Sequence, residues 1–84
     1  MKLLKFSASW CGPCKALSNT IANMGELPVV MEEIDIDENM DMARQYGVRG
    51  VPTCVLVDED GTVIDTKVGA MSAAQLTAFL EANL

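Results

Sequence analysis

The chain opens on a brief apolar run from Leu3 to Ala8, interrupted only by Lys5 and Ser7, which predicts a buried strand. Ala16, Leu17, Thr20, Ile21 and Met24 then recur at helical spacing, with Gly25 placed to end that helix. Pro28 restarts extended chain, and Val29 to Asp37 predicts a second strand whose latter half, Ile34-Asp35-Ile36-Asp37, alternates at a period of two. A short helix carrying Met40, Met42, Ala43 and Tyr46 follows, capped by Asn39 and stopped by Gly47. Two β-prone runs, Cys54 to Val57 and Thr62 to Val68, flank the turn Asp58-Glu59-Asp60-Gly61 and predict a hairpin. Past Gly69, Ser72 and Gln75 have capping-box spacing, and Leu76, Phe79, Leu80 and Leu84 supply the buried stripe of a last helix.

The predicted order is therefore βαβαββα. A right-handed crossover makes the first two strands parallel and the hairpin adds two antiparallel ones. That is an α/β fold with a four-stranded mixed sheet and helices on both faces. At 84 residues, 1–84 is expected to be a single domain with one modest core. No repeat, linker or low-complexity tract divides it.

Charge narrows the partners. Six basic against 12 acidic residues give a net charge of -6, which repels phosphate backbones, so no nucleic acid is expected. No segment approaches the length that spans a bilayer, so no membrane is expected either. Met1-Lys2-Leu3-Leu4-Lys5-Phe6 is too short, and broken by Lys5, for a secretory apolar region. Three cysteines beside a real core do not fit an extracellular disulfide scaffold, and a reducing cytoplasm is the expected compartment. Asp35, Asp37, Glu38 and Asp41 lack the spacing of a calcium loop and read as a solvated acidic edge. The methionines read as core filler.

The chemistry gathers at Trp10-Cys11-Gly12-Pro13-Cys14-Lys15. Two cysteines three residues apart, opening a helix after a strand, lie where unpaired N–H groups and the helix dipole favour an anion. Cys11 is expected to be an activated thiolate. Pro13 fits the first helical turn, and Gly12 is expected to let the backbone pass close to the sulfurs. A half zinc site and a pair of inert core thiols are the alternatives. Zinc wants four ligands, and the chain has no histidine and no second such pair, while inert thiols do not usually flank Gly-Pro at a helix start. Cys54, set in Thr53-Cys54-Val55-Leu56-Val57, reads as a buried core thiol, with a regulatory thiol as the alternative.

The hexapeptide resembles the active-site sequence of the thioredoxin family residue for residue. The similarity continues through Tyr46-Gly47-Val48-Arg49-Gly50-Val51-Pro52-Thr53 and Thr66-Lys67-Val68-Gly69-Ala70 to the closing helix. It implies the minimal thioredoxin-like fold. Full-length members carry a strand and a helix ahead of the equivalent of Leu3, so one sheet edge and part of one face would be less covered here. It also implies a protein-disulfide reductase, with Cys11 the exposed nucleophile and Cys14 the resolving thiol. Gly12-Pro13 is the dipeptide of the family's reductants. No bound cofactor is implied beyond a redox-active Cys11-Cys14 disulfide, with electrons coming from NADPH through a thioredoxin reductase. Disulfide-containing proteins such as a ribonucleotide reductase would be substrates of a monomer.

Pro52 by itself reads as a trans proline at a strand start. The resemblance implies a cis Val51-Pro52 bond packed against the cysteines, leaving the backbone of Val51 free to pair with a substrate strand. Trp10, Val51 and the Gly69-Ala70 turn would form an apolar rim, with Gly69 leaving room for the incoming chain. Two other readings compete: a glutathione-recharged, glutaredoxin-like protein, and a non-catalytic binding subunit of a larger enzyme. Glutaredoxins typically have tyrosine between the cysteines and a late Gly-Gly, where this chain has Gly12-Pro13 and a lone Gly69.

One departure stands out. Thioredoxins usually place a buried aspartate six residues before the first cysteine, where this chain has Lys5. They usually place a lysine on the neighbouring strand, where this chain, aligned back from Val51-Pro52, has Glu33. The charge pair is thus expected to be inverted, with one of the two relaying a proton to Cys14. The competing expectation is that Lys5 snorkels to water from an uncovered face.

Overall fold

The computed structural model describes residues 1–84. Its elements, in chain order, are β1 (Lys2–Ser7), α1 (Gly12–Met24), β2 (Val30–Asp35), α2 (Met40–Gln45), β3 (Thr53–Val57), β4 (Val63–Val68) and α3 (Ala73–Glu81). The sheet order is β2-β1-β3-β4. β1 runs parallel to β2 and antiparallel to β3, and β3 and β4 form the antiparallel hairpin. The expected βαβαββα mixed sheet is therefore observed.

β1 is central, which explains why it reads as a nearly continuous apolar run rather than an alternating one: both of its faces are covered. Alternate residues of the inner strands point to opposite faces. Leu3, Cys54 and Leu56 pack with Leu17 and Ile21 of α1 and Leu76 and Leu80 of α3. Leu4, Phe6, Val55 and Val57 pack with Ile34 and with Ala43 of α2. Two helices thus cover one face and one short helix the other. β2 and β4 are the sheet edges, and Val30 on β2 is 67% exposed.

Several expected boundaries shift for local reasons. β2 ends at Asp35, two residues early, because the Asp35 carboxylate accepts the Asp37 N–H at 2.8 Å and turns the chain. Asn39 occupies the N-cap position of α2 but caps nothing there; its amide donates instead to the Asp35 carbonyl at 3.0 Å. Leu84 lies beyond the end of α3 and is 64% exposed, so it is not part of the buried stripe. The reciprocal Ser72 and Gln75 cap of α3 is present, with bonds of 3.1 and 2.8 Å. In the hairpin turn Asp58 Oδ1 accepts from the N–H groups of Asp60 and Thr62, both at 2.9 Å, and Gly61 takes φ +85°.

These contacts set two expected stabilities. Leu56→Ala, at a fully buried position between β3 and the α1/α3 layer, should lower the unfolding free energy by about 3 kcal/mol. Ser72→Ala should cost about 1 kcal/mol through the lost cap. Urea unfolding followed by circular dichroism measures both.

Candidate functional site

α1 begins where β1 delivers the chain, at its carboxyl end. Cys11 is the N-cap residue, in an extended conformation, and its Sγ accepts the Cys14 N–H at 3.1 Å. The Cys11 N–H donates to the Ala8 carbonyl at 3.2 Å, which ties the helix start to the end of the strand. Pro13 lies in the first turn, where its missing donor costs no helical bond. Cys11 and Cys14 form a disulfide, with Cα atoms 5.2 Å apart.

Both sulfurs are packed with Ala8, Ile36 and Val51. Cys11 is 4% exposed and Cys14 2%, so the expectation of an exposed Cys11 is corrected: in the disulfide state its sulfur is packed among these side chains. Gly12 also differs from expectation. A Cβ there would meet nothing within 4 Å, so close passage to the sulfurs does not require this glycine.

The Val51-Pro52 peptide is cis, and Pro52 is buried. The Val51 carbonyl oxygen lies 3.7 Å from Cys11 Sγ, placing the proline loop directly against that sulfur. The Val51 N–H donates to no backbone carbonyl. Gly69 donates its N–H to the Pro52 carbonyl at 2.8 Å and adopts φ +99°, a conformation that demands glycine; a Cβ there would meet nothing within 4 Å of this chain. Trp10 is 67% exposed, and its indole N–H donates to Asp37 Oδ2 at 3.0 Å. Asp37, expected only as part of a solvated acidic edge, follows the turn made by Asp35 and accepts this indole bond.

Lys5 and Glu33 do meet. The β1/β2 register pairs them directly, and Lys5 Nζ lies 3.1 Å from Glu33 Oε1. Lys5 is 1% exposed, which overturns the snorkelling alternative. Its ammonium also donates to Ser18 Oγ at 2.6 Å, and Ser7 Oγ donates to Glu33 Oε1 at 3.3 Å. Ser18 was not singled out in the sequence, although it follows Cys14 by four residues and so shares its side of α1. A polar cleft of about 390 Å³ opens here, lined by Cys14, Ser7, Ser18, Glu33, Asp35 and Glu38 among others. Cys14 thus has a polar side, whereas Cys11 faces Val51. No three histidine, cysteine or carboxylate side chains converge as metal ligands would.

A disulfide spanning the first turn of a helix interconverts with two thiols by exchange with another disulfide, a two-electron step. That chemistry on this sheet defines a thiol–disulfide oxidoreductase. The sequence model of the Thioredoxin family matches residues 1–82. Thioredoxin of Pseudomonas aeruginosa is 46% identical over 87 residues, covering 98% of this chain and 78% of the relative. Mitochondrial thioredoxin of Mus musculus is 43% identical over 94% of this chain and 49% of its own length. Among solved structures, a mutant thioredoxin of Halobacterium salinarum superposes with a TM-score of 0.87 at 37% identity, covering 98% of this chain and 73% of that one. A thioredoxin of Nicotiana alata gives 0.86 at 32%, covering 98% and 71%. The chain belongs to the thioredoxin family and is a protein-disulfide reductase. Thioredoxins carry no prosthetic cofactor and exchange electrons with a thioredoxin reductase and with disulfide-bearing substrates. No helix of the chain is long and apolar enough to cross a membrane.

Cys54, opposite Lys5 in the β1/β3 register, is free and fully buried. Burial pushes its thiol from 9.0 up to about 11, with the Lys5 charge pulling the other way. The unfolded chain therefore loses this proton first as pH rises. The resulting stability is intact below about pH 9 and is lost progressively toward pH 11. Urea unfolding across that window should show a decline of roughly 2 to 3 kcal/mol that Cys54→Ala abolishes; an unchanged decline in the variant would assign it to other groups.

Proposed function

We propose that the chain is a dithiol reductant in which Cys11 attacks a substrate disulfide and Cys14 resolves the mixed disulfide. The observation that carries this reading is the Cys11 sulfur itself. It accepts the Cys14 N–H at the start of a 13-residue helix, where a thiolate is favoured by the unpaired donors and the dipole. Attack forms a Cys11–substrate disulfide and expels one substrate thiolate. Cys14 then loses its proton, attacks Cys11 Sγ, closes the Cys11–Cys14 bond and expels the second.

Trp10, Gly12, Pro13, Val51, Pro52 and Gly69 bind the substrate segment around that sulfur. The unpaired Val51 N–H supports strand-like pairing with an extended peptide, as in other edge-pairing recognition. Trp10, held by Asp37, gives the rim a fixed apolar wall. Lys5 and Glu33, behind the cysteines, govern the proton of Cys14. Residues 1–84 act as one unit and as a monomer in the cytoplasm. Electrons reach the disulfide from NADPH through a thioredoxin reductase and pass to proteins such as a ribonucleotide reductase.

Insulin reduction tests the reading. With NADPH and thioredoxin reductase the wild-type chain should precipitate insulin, and Cys11→Ser should abolish turnover. Cys14→Ser should accumulate covalent adducts through Cys11. Turnover only with glutathione and its reductase would overturn the proposed electron source. Full activity in Cys11→Ser would overturn the nucleophile.

A further inference from the structure

Lys5 is the one charged side chain among the buried residues. Removing an ammonium from water costs several kcal/mol unless partners repay it. The pair it forms with Glu33 is lopsided, since Lys5 is 1% exposed and the Glu33 side chain 56%. Water screens the carboxylate far more than it screens the ammonium. The net field of the pair inside the α1 side of the sheet is therefore positive.

Cys14 is on that side and is itself 2% exposed. Ser18, which accepts from the ammonium at 2.6 Å, sits one helical turn beyond Cys14, and Cys14, Ser18 and Glu33 line one cleft. The carboxylates around the thiol work against its ionisation, and Lys15 is the one exposed cation that favours it. β2 contributes Glu33 and Asp35 and the turn after it Glu38, while α1 contributes Lys15 and the disulfide partner Cys11. Cys54 on β3 faces Lys5 and stays a neutral thiol below about pH 11. Three carboxylates face the cleft against Lys15 alone, and the only cation beneath them is Lys5.

We infer that Lys5 is a positioning residue for the resolution step: its buried ammonium, held against α1 by Ser18, offsets the cleft carboxylates and stabilises the Cys14 thiolate, while Glu33 tempers that charge. The inference rests on the reading of Cys14 as the resolving thiol. Lys5 transfers no proton in this step. The Cys14 proton leaves to solvent through the cleft, the thiolate attacks Cys11 Sγ, the Cys11–Cys14 bond forms, and the bond from Cys11 to the partner sulfur breaks with the electron pair leaving on the partner.

Reaction of the reduced chain with an aromatic disulfide that releases a coloured thiolate separates the steps by stopped flow. The first phase, attack by Cys11, depends on reagent concentration, and the second, resolution by Cys14, does not. Lys5→Met should move the pH midpoint of the second phase up by about one unit and slow it about tenfold near neutrality, with a smaller change in the first. Ser18→Ala should shift it the same way by less. Glu33→Gln, at a largely exposed side chain, should shift it the opposite way and quicken resolution about threefold at pH 7. These opposed signs separate a fixed charge from a proton shuttle, since loss of a shuttling Glu33 would slow resolution. A Lys5→Met profile that superimposes on wild type, equal shifts in both phases, or a slower Glu33→Gln would each overturn the inference. Absence of the second phase in the wild-type chain would overturn the resolving role of Cys14, and this proposal with it.

Discussion

The structure depends on burying β1 from both sides. A strand at the centre of the sheet must satisfy its backbone through two neighbours and its side chains through two helical layers, so Leu3, Leu4 and Phe6 are all nearly inaccessible. The same constraint fixes where the chemistry can be. β1 leaves the sheet at Ser7, Ala8 accepts the Cys11 N–H, and α1 starts at once, so the cysteines sit at the carboxyl end of a central strand. Open α/β sheets present their reactive groups at such ends because helix N-termini and loops converge there.

The cysteine pair then divides two environments between two sulfurs. Cys11 meets the Val51 carbonyl and an apolar cluster with Ala8 and Ile36; Cys14 also meets a polar cleft. The two surroundings suit the proposed division of labour, in which one sulfur meets a large partner and the other gives up a proton while that partner is still attached. The cis-proline loop and the Gly69 turn are bonded to each other by the Gly69 N–H, so the rim is one piece of structure rather than two loops.

Lys5 is the exception that the fold tolerates. A lysine in a central strand is the kind of local inconsistency that marks a site under functional demand. Its stem lies in the core like a leucine, while the ammonium is met by Ser18 and Glu33 from two different elements. No buried polar side-chain atom is left without a partner, so the charge sits within a satisfied network.

Element order, the sheet's composition and the Trp10 to Lys15 motif were legible in the residues because they rest on local rules: periodicity, capping, turn chemistry and cysteine spacing. The capping box at Ser72 and the hairpin at Asp58 are of this kind. The pairing of Lys5 with Glu33 was legible only by counting along a resemblance, and nothing local could decide whether Lys5 turned inward or outward. Where the boundaries moved, at Asp35, Asn39 and Leu84, side chains took partners or positions that a period cannot encode. Ser18, Asp37 and the burial of Cys11 were decided by tertiary structure alone. Each depends on which groups from separate elements arrive within hydrogen-bonding or packing distance, and that is a property of the assembled sheet and helices rather than of any single stretch of chain.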